Sequence, residues 1–304
     1  MDQFLKKILG SNRRNTLIAW AFVSPWVIGF LIFGLYPIIM SLYYSLCQYD
    51  VLRVPRFVGF QNYQALLFED PYFWKSLWNT LYYVVFRTPL AIFGSLLLAS
   101  LLNQQLKGMP VFRTIFFIPS IISGVVLSVI WLWMFNPEYG LINSALAVFG
   151  IPGPLWLQSA TWSKPAMVLM SLWTVGGGRM LVFLAALQGI PKHLYEAVDL
   201  EGGGWWTKFR HVTIPLISPI LFLWTVMEVI FSMQVFVEAY IMTNGGPANS
   251  TLFFNLHLYN KSFNDFQMGY ASAMAWLLLV ITLVVTWFQF RLSKRMVYYE
   301  GDNR

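Results

Sequence analysis

Long apolar stretches alternate with short polar connections along this chain. The apolar runs lie at roughly residues 16–46, 76–103, 111–136, 166–188, 216–242 and 268–291. Each reaches the roughly 20 residues that a helix needs to cross the hydrocarbon core of a bilayer. The first run is too long for a signal-peptide core and lacks a small-residue cleavage site, so it is expected to stay. Pro25 and Pro37 within it are placed to bend it or to mark its ends. No internal repeat and no low-complexity stretch is visible. The expected fold class is therefore an all-α membrane protein with six transmembrane helices. One transmembrane domain, 16–291, is expected between an N-terminal tail, 1–15, and a C-terminal tail, 292–304.

Composition agrees with that pattern. Hydrophobic residues make up 58% of the 304 residues and charged residues only 11%, against about 25% charged in soluble domains. The net charge of +7 is not a nucleic-acid signal, because the basic residues are scattered. Cys47 is the single cysteine, so no disulfide forms within the chain. His193, His211 and His257 show no metal-ligand spacing, and no metal is expected.

The basic residues orient the spans. With six spans both termini share one side. That side collects Lys6, Lys7, Arg13 and Arg14, then Lys107 and Arg113, then Lys192, Lys208 and Arg210, and finally Arg291, Lys294, Arg295 and Arg304. The other side has Arg53, Arg56, Lys75, Lys164 and Lys261. Thirteen against five places both termini in the cytoplasm by the positive-inside rule.

The connection over 189–218 faces the same side and has internal order. Pro191 suits the first turn of a helix. Leu194, Ala197 and Val198 then fall on one face, and Gly202, Gly203 and Gly204 break the helix. A second short helix puts Trp205, Phe209 and Val212 on one face, and Pro215 and Pro219 punctuate entry into the next span. On spacing alone, a connector lying on the membrane surface is an equal alternative.

These residues carry a resemblance. Glu196-Ala197-Val198, Gly202, Phe209 and Thr213-Ile214-Pro215 resemble the EAA loop of inner-membrane permeases of ATP-binding-cassette importers. Val198 replaces the second alanine, Glu201 stands where an aspartate usually precedes the glycine, and Val212 and Ile214 replace isoleucine and leucine. "SPWVIGFLIFGLYPIIMSLYYSL", "FVGFQNYQALLFEDPYFWKSLWNTL", "FRTIFFIPSIISGVVLSVIWLWMFNPEYGLIN" and "TNGGPANSTLFF" are similar to stretches of the maltose, oligosaccharide and glycerol-phosphate subfamily. The resemblance implies a cytoplasmic helix-turn-helix EAA coupling loop that docks on a cytosolic ATPase dimer. It implies coupling roles for Glu196, Ala197, Val198, Glu201, Gly202, Phe209 and Pro215. An apolar edge of Leu194, Ala197, Val198 and Phe209 would fill the partner's groove. The implied function is the permease subunit of a sugar or oligosaccharide importer in a prokaryotic inner membrane. The other implied partners are a second, different permease and an extracytoplasmic solute-binding protein.

No catalysis is expected in this chain. The phosphate-loop pattern G-x-x-x-x-G-K-[ST] is missing from the sequence, so ATP and Mg would be bound by the partner ATPase and no cofactor by this chain. Gly176–Gly178 lie in an apolar run, where close helix packing and clearance for a solute are both open readings. Arg87, Arg179, Glu228 and Glu238 are ionisable groups within spans, and such groups are functional candidates. Glu238 lies near a span end and can simply reach water. Trp224, Glu228, Phe231, Ser232 and Val235 share a face that mixes a stacking surface with hydrogen-bonding groups, which suits a sugar ring. Ser171, Val175 and Gly178 share another. Counted outward from the EAA loop, the positions of Ser171, Val175, Gly178, Glu228, Phe231 and Ser232 resemble those where maltose-type permeases contact sugar. The alternative for Glu228 is neutralisation of an arginine such as Arg179. An ion-coupled secondary transporter, with Glu228 or Glu238 carrying a proton, is the competing class, and it would usually show internal repeats. An intramembrane enzyme would need paired catalytic groups on facing spans, and the histidines sit in connections.

Overall fold

A computed structural model describes residues 16, 18–104 and 106–298; for 294–296 it describes the backbone only. Lys6, Lys7, Arg13, Arg14 and Arg304, and the side chains of Lys294 and Arg295, which entered the charge asymmetry, lie outside the described residues. Helix α1, Ile18–Ser45, continues through both prolines. A π-turn at Leu31–Leu35 precedes Pro37. Proline lacks an N–H and its ring clashes with the carbonyl four residues back, and a wider turn just upstream accommodates both defects. Pro37 therefore neither ends the helix nor interrupts it. After α1 comes a two-residue antiparallel ladder, β1 (Cys47–Gln48) with β2 (Arg56–Phe57), in register Cys47↔Phe57.

Helix α2, Pro71–Leu102, starts where Asp70 Oδ1 accepts a hydrogen bond from Tyr72 N at 2.8 Å. Its buried positions include Phe73, Ser76, Thr80, Tyr83, Ala91 and Ser95, a helical stripe. Two apolar runs that read as simple spans are bent. Helix α3 (Met109–Phe117) passes through a 3₁₀ turn at Ile118–Ile121 and meets α4 (Gly124–Met134) at 97°. Helix α5 (Leu141–Val148) follows. Helix α6 (Ser163–Ser171), extended by a 3₁₀ turn to Thr174, meets α7 (Gly178–Gln188) at 52°.

The later α-helices are α8 (Lys192–Leu200), α9 (Trp205–Lys208), α10 (Ile214–Met233), α11 (Val237–Met242), α12 (Phe254–Tyr259) and α13 (Met268–Met296). Helices α9 and α10 are one continuous helix through a π-turn at Phe209–Thr213, just upstream of Pro215. The expected separate second helix of the 189–218 connection is thus the opening turns of the next span. Pro219 lies inside α10 and does not break it. Among the described residues, four helices are long and apolar enough to cross a membrane, or up to six if each bent pair is one span.

The described chain sorts into two compact units, residues 1–66 with 261–277 and residues 67–260 with 278–304. In the second unit one core gathers Tyr83, Trp131, Phe135, Met167, Met170 and Phe253. Another gathers Leu96, Met180, Phe183, Leu187, Val212 and Ile217.

Candidate functional site

The 189–218 connection begins with Pro191 in an extended conformation capping α8, one position earlier than a first-turn proline. At its far end Gly202 has φ +75, a left-handed conformation that glycine takes without steric penalty. Gly202 N donates to Asp199 O at 3.0 Å and Gly203 N to Val198 O at 2.8 Å, which closes the turn. Lys208 Nζ reaches Asp199 at 2.7 Å, tying α9 to α8. The rings of Trp205 and Phe209 stack at 5.3 Å.

This geometry divides the apolar edge. Leu194, Val198 and Phe209 are half-buried and pack on the core beside Ile217 and Val212. Glu196, Ala197, Glu201 and Gly202 are exposed. The outward apolar groups are Ala197, Leu200, Trp205 and Trp206; Leu200 is 91% exposed. Pro215 is half-buried at the start of α10.

A second site lies among the membrane-spanning helices. Glu228 on α10 is 2% exposed. Its Oε2 pairs with Arg179 Nη1, and its Oε1 lies 3.0 Å from Arg87 Nη1. Arg87 Nη1 also donates to Ser232 Oγ at 2.7 Å. Arg179 Nε donates to Ser95 Oγ at 2.8 Å, and Ser95 Oγ donates to Val175 O at 2.6 Å. Val175 is the residue at which α6 and α7 part, so its carbonyl would otherwise lose a partner. Arg179 sits in the first turn of α7, where the helix dipole disfavours a cation. One carboxylate between two guanidinium groups offsets that placement and makes burial tolerable.

Adjoining this network at Arg87 is a cavity of about 300 Å³, lined by Tyr83, Arg87, Phe231, Gln234, Phe236 and Glu238 among others. It opens where the chain leaves helical geometry between α10 and α11, at Gln234–Phe236. Glu238 stands in the first turn of α11, a favourable place for a carboxylate.

The sequence profile of the family described as "Binding-protein-dependent transport system inner membrane component" matches residues 88–298. The chain belongs to that family. Among relatives of this inner membrane component is the "Probable ABC transporter permease protein YesP" of Bacillus subtilis (strain 168), 39% identical over 96% of this chain and 95% of the relative. Another is the "Lactose transport system permease protein LacF" of Rhizobium radiobacter, 35% identical over 89% of this chain and 92% of the relative. The fold resembles a chain in the crystal structure of a bacterial alginate ABC transporter in complex with an alginate pentasaccharide-bound periplasmic protein. That likeness has a TM-score of 0.82 at 22% identity, covering 95% of this chain and 98% of the other.

Within this inner membrane component the six positions expected on a substrate path separate. Phe231 is 51% exposed and lines the cavity. Glu228 and Ser232 lie behind Arg87 and hold it. Ser171 Oγ donates to Val168 O at 2.7 Å within its own helix. Val175 packs on Gly94, and Gly178 opens α7 with free space around it. None of these last three lines the cavity. Gln234 went unnoticed in the sequence, because the helix break that exposes it leaves no proline or glycine signal. Arg87 and Glu238 were visible as charges within apolar runs.

Proposed function

We propose that this chain is the non-catalytic permease subunit of an ATP-driven importer for a sugar or oligosaccharide. The 189–218 connection is its EAA coupling loop. It docks on a cytosolic ATPase dimer that binds ATP and Mg. A second, different permease completes the path, and an extracytoplasmic solute-binding protein delivers the solute. Both termini are cytoplasmic.

One observation carries the reading. The exposed loop surface and the intramembrane cavity are joined by a single helix from Trp205 to Met233. At 1.5 Å per residue its 29 residues span ~43 Å, so a push on the loop arrives at the cavity rim. The cavity offers a sugar an aromatic face, Phe231, a guanidinium donor, Arg87, an amide, Gln234, and a carboxylate acceptor, Glu238. Such mixed apolar and convergent polar lining is typical of small-molecule sites. The lactose permease named above supports the solute class.

The test is co-purification. A Gly202→Asp substitution puts a Cβ on a left-handed backbone and a charge on the docking face. The ATPase should dissociate from the detergent-solubilised variant and uptake of the solute should cease, while the permease inserts at normal levels. An ATPase that stays bound, with hydrolysis still stimulated by solute-loaded binding protein, would remove the coupling assignment. Lactose, maltose and longer oligosaccharides, each presented with the binding protein, define the solute class.

A further inference from the structure

A larger cavity, about 410 Å³, lies away from the proposed path, entirely within the unit of residues 1–66 and 261–277. Its lining includes Gln48, Tyr49, Arg53, Arg56, Gln267 and Tyr270. We propose that it holds the phosphate headgroup of an anionic glycerophospholipid, in the leaflet reached by the C-terminal end of α1.

The walls are built rather than incidental. Asn62 Nδ2 donates to Ser45 O and Cys47 O, each at 2.8 Å, and anchors the β1–β2 hairpin at the end of α1. Gly269 N donates to Tyr49 O at 3.0 Å. A Cβ at Gly269 would overlap Cys47 O, so only glycine lets the hairpin seat on the start of α13. Tyr49 stacks on Tyr44 at 4.6 Å.

Depth points to lipid. Helix α1 has 28 residues, or ~42 Å at 1.5 Å per residue, close to the about 40–45 Å of a bilayer with its headgroups. The cavity begins three residues beyond the end of α1 and one residue before the start of α13. That is headgroup depth, where tyrosines are enriched.

Charge selects the headgroup. Asp50 is engaged by Arg53, whose backbone N donates to Asp50 Oδ1 at 2.9 Å and whose Nε lies 3.7 Å from Oδ2. Among the described residues no carboxylate pairs with Arg56. The lining therefore carries one cation in excess, beside the amides of Gln48 and Gln267. The hairpin tip adds a greasy rim, Leu52 and Val54 each 88% exposed and Phe57 64% exposed. Guanidinium groups beside exposed aliphatic side chains match a phosphodiester beside its acyl chains.

The experiment uses the assembled transporter in nanodiscs containing phosphatidylglycerol with a photoactivatable group near its glycerol backbone. Crosslinks should map to peptides covering 47–57 and 267–270. Arg56→Gln should lower that signal roughly fivefold, the effect of about one basic group at a lipid surface, and Arg56→Lys should retain most of it. Soluble glycerol 3-phosphate should not compete. Unchanged crosslinking in Arg56→Gln overturns the site, and efficient competition by glycerol 3-phosphate overturns the lipid assignment in favour of a soluble phosphate. Loss of solute-binding-protein association in Arg56→Gln, with crosslinking intact, assigns the face to that protein instead.

Discussion

Glu228 holds two arginines and Phe231 holds none, and the two side chains predict opposite failures. Glu228 is buried and paired with Arg87 and Arg179. Glu228→Gln leaves two guanidinium groups without a counter-charge, and breaking a buried pair from one side costs about 3–5 kcal/mol. The expected outcome is a permease that melts earlier in detergent and accumulates poorly, before any effect on solute affinity can be read. Phe231 is half out of the protein, on the cavity wall. Phe231→Ala should leave melting and assembly unchanged and raise the half-saturating solute concentration for uptake. Loss of a stacking surface is worth about 0.5–1.5 kcal/mol, or roughly two- to twelvefold. Equal uptake by wild type and Phe231→Ala would take that ring out of the solute's path. The sequence marked both residues on one helical face, because α10 does bring positions three and four apart together. It left neutralisation of Arg179, 49 positions away, as an alternative for Glu228 and did not name Arg87, 141 positions away, as a second partner, since pairing at that separation depends on how helices pack.

At the scale of elements, the two bends in α3–α4 and α6–α7 meet. A Cβ on Gly176 would overlap the Phe116 carbonyl oxygen, and one on Gly177 would lie 2.8 Å from Ser120 Cβ. The chains touch where the last turn of α3 and the 3₁₀ turn after it, at Phe116 and Ser120, meet the break between α6 and α7, and small residues allow it. Gly176→Ala should therefore destabilise by about 1–3 kcal/mol, as overpacking does, visible as a lowered melting temperature. Gly178→Ala meets nothing within 4 Å and lies in α7. It should be silent or slightly stabilising, by up to about 1 kcal/mol. Equal melting temperatures for the two variants would refute the close contact. In the sequence the three glycines stood as a single signal with two open readings. The fold separates them, because each glycine meets a different neighbour.

At the scale of the whole molecule, the orientation proposed from thirteen basic residues against five can be read directly. Lys107 follows α2 and Asn249 lies between α11 and α12. Cysteines at these positions, in a Cys47→Ser background, should react with a membrane-impermeant maleimide from opposite sides of the membrane. Labelling from one side would overturn the six-span arrangement.

The sequence by itself determined that the chain is helical and membrane-embedded, where its six apolar runs fall, and where the 189–218 loop that turns at Gly202 lies. Each of these depends on local hydropathy or on a single backbone requirement, and neighbouring residues carry that information. Only the tertiary structure decided that two runs bend, that α9 and α10 are one rod, that Leu194, Val198 and Phe209 of the loop turn inward, and that Arg87 rather than Glu228 faces the cavity. It also decided that a polar cavity lies between the β1–β2 hairpin and the start of α13. These features arise from groups far apart in the chain, and side-chain volume and buried charge can select among arrangements only after the helices have packed.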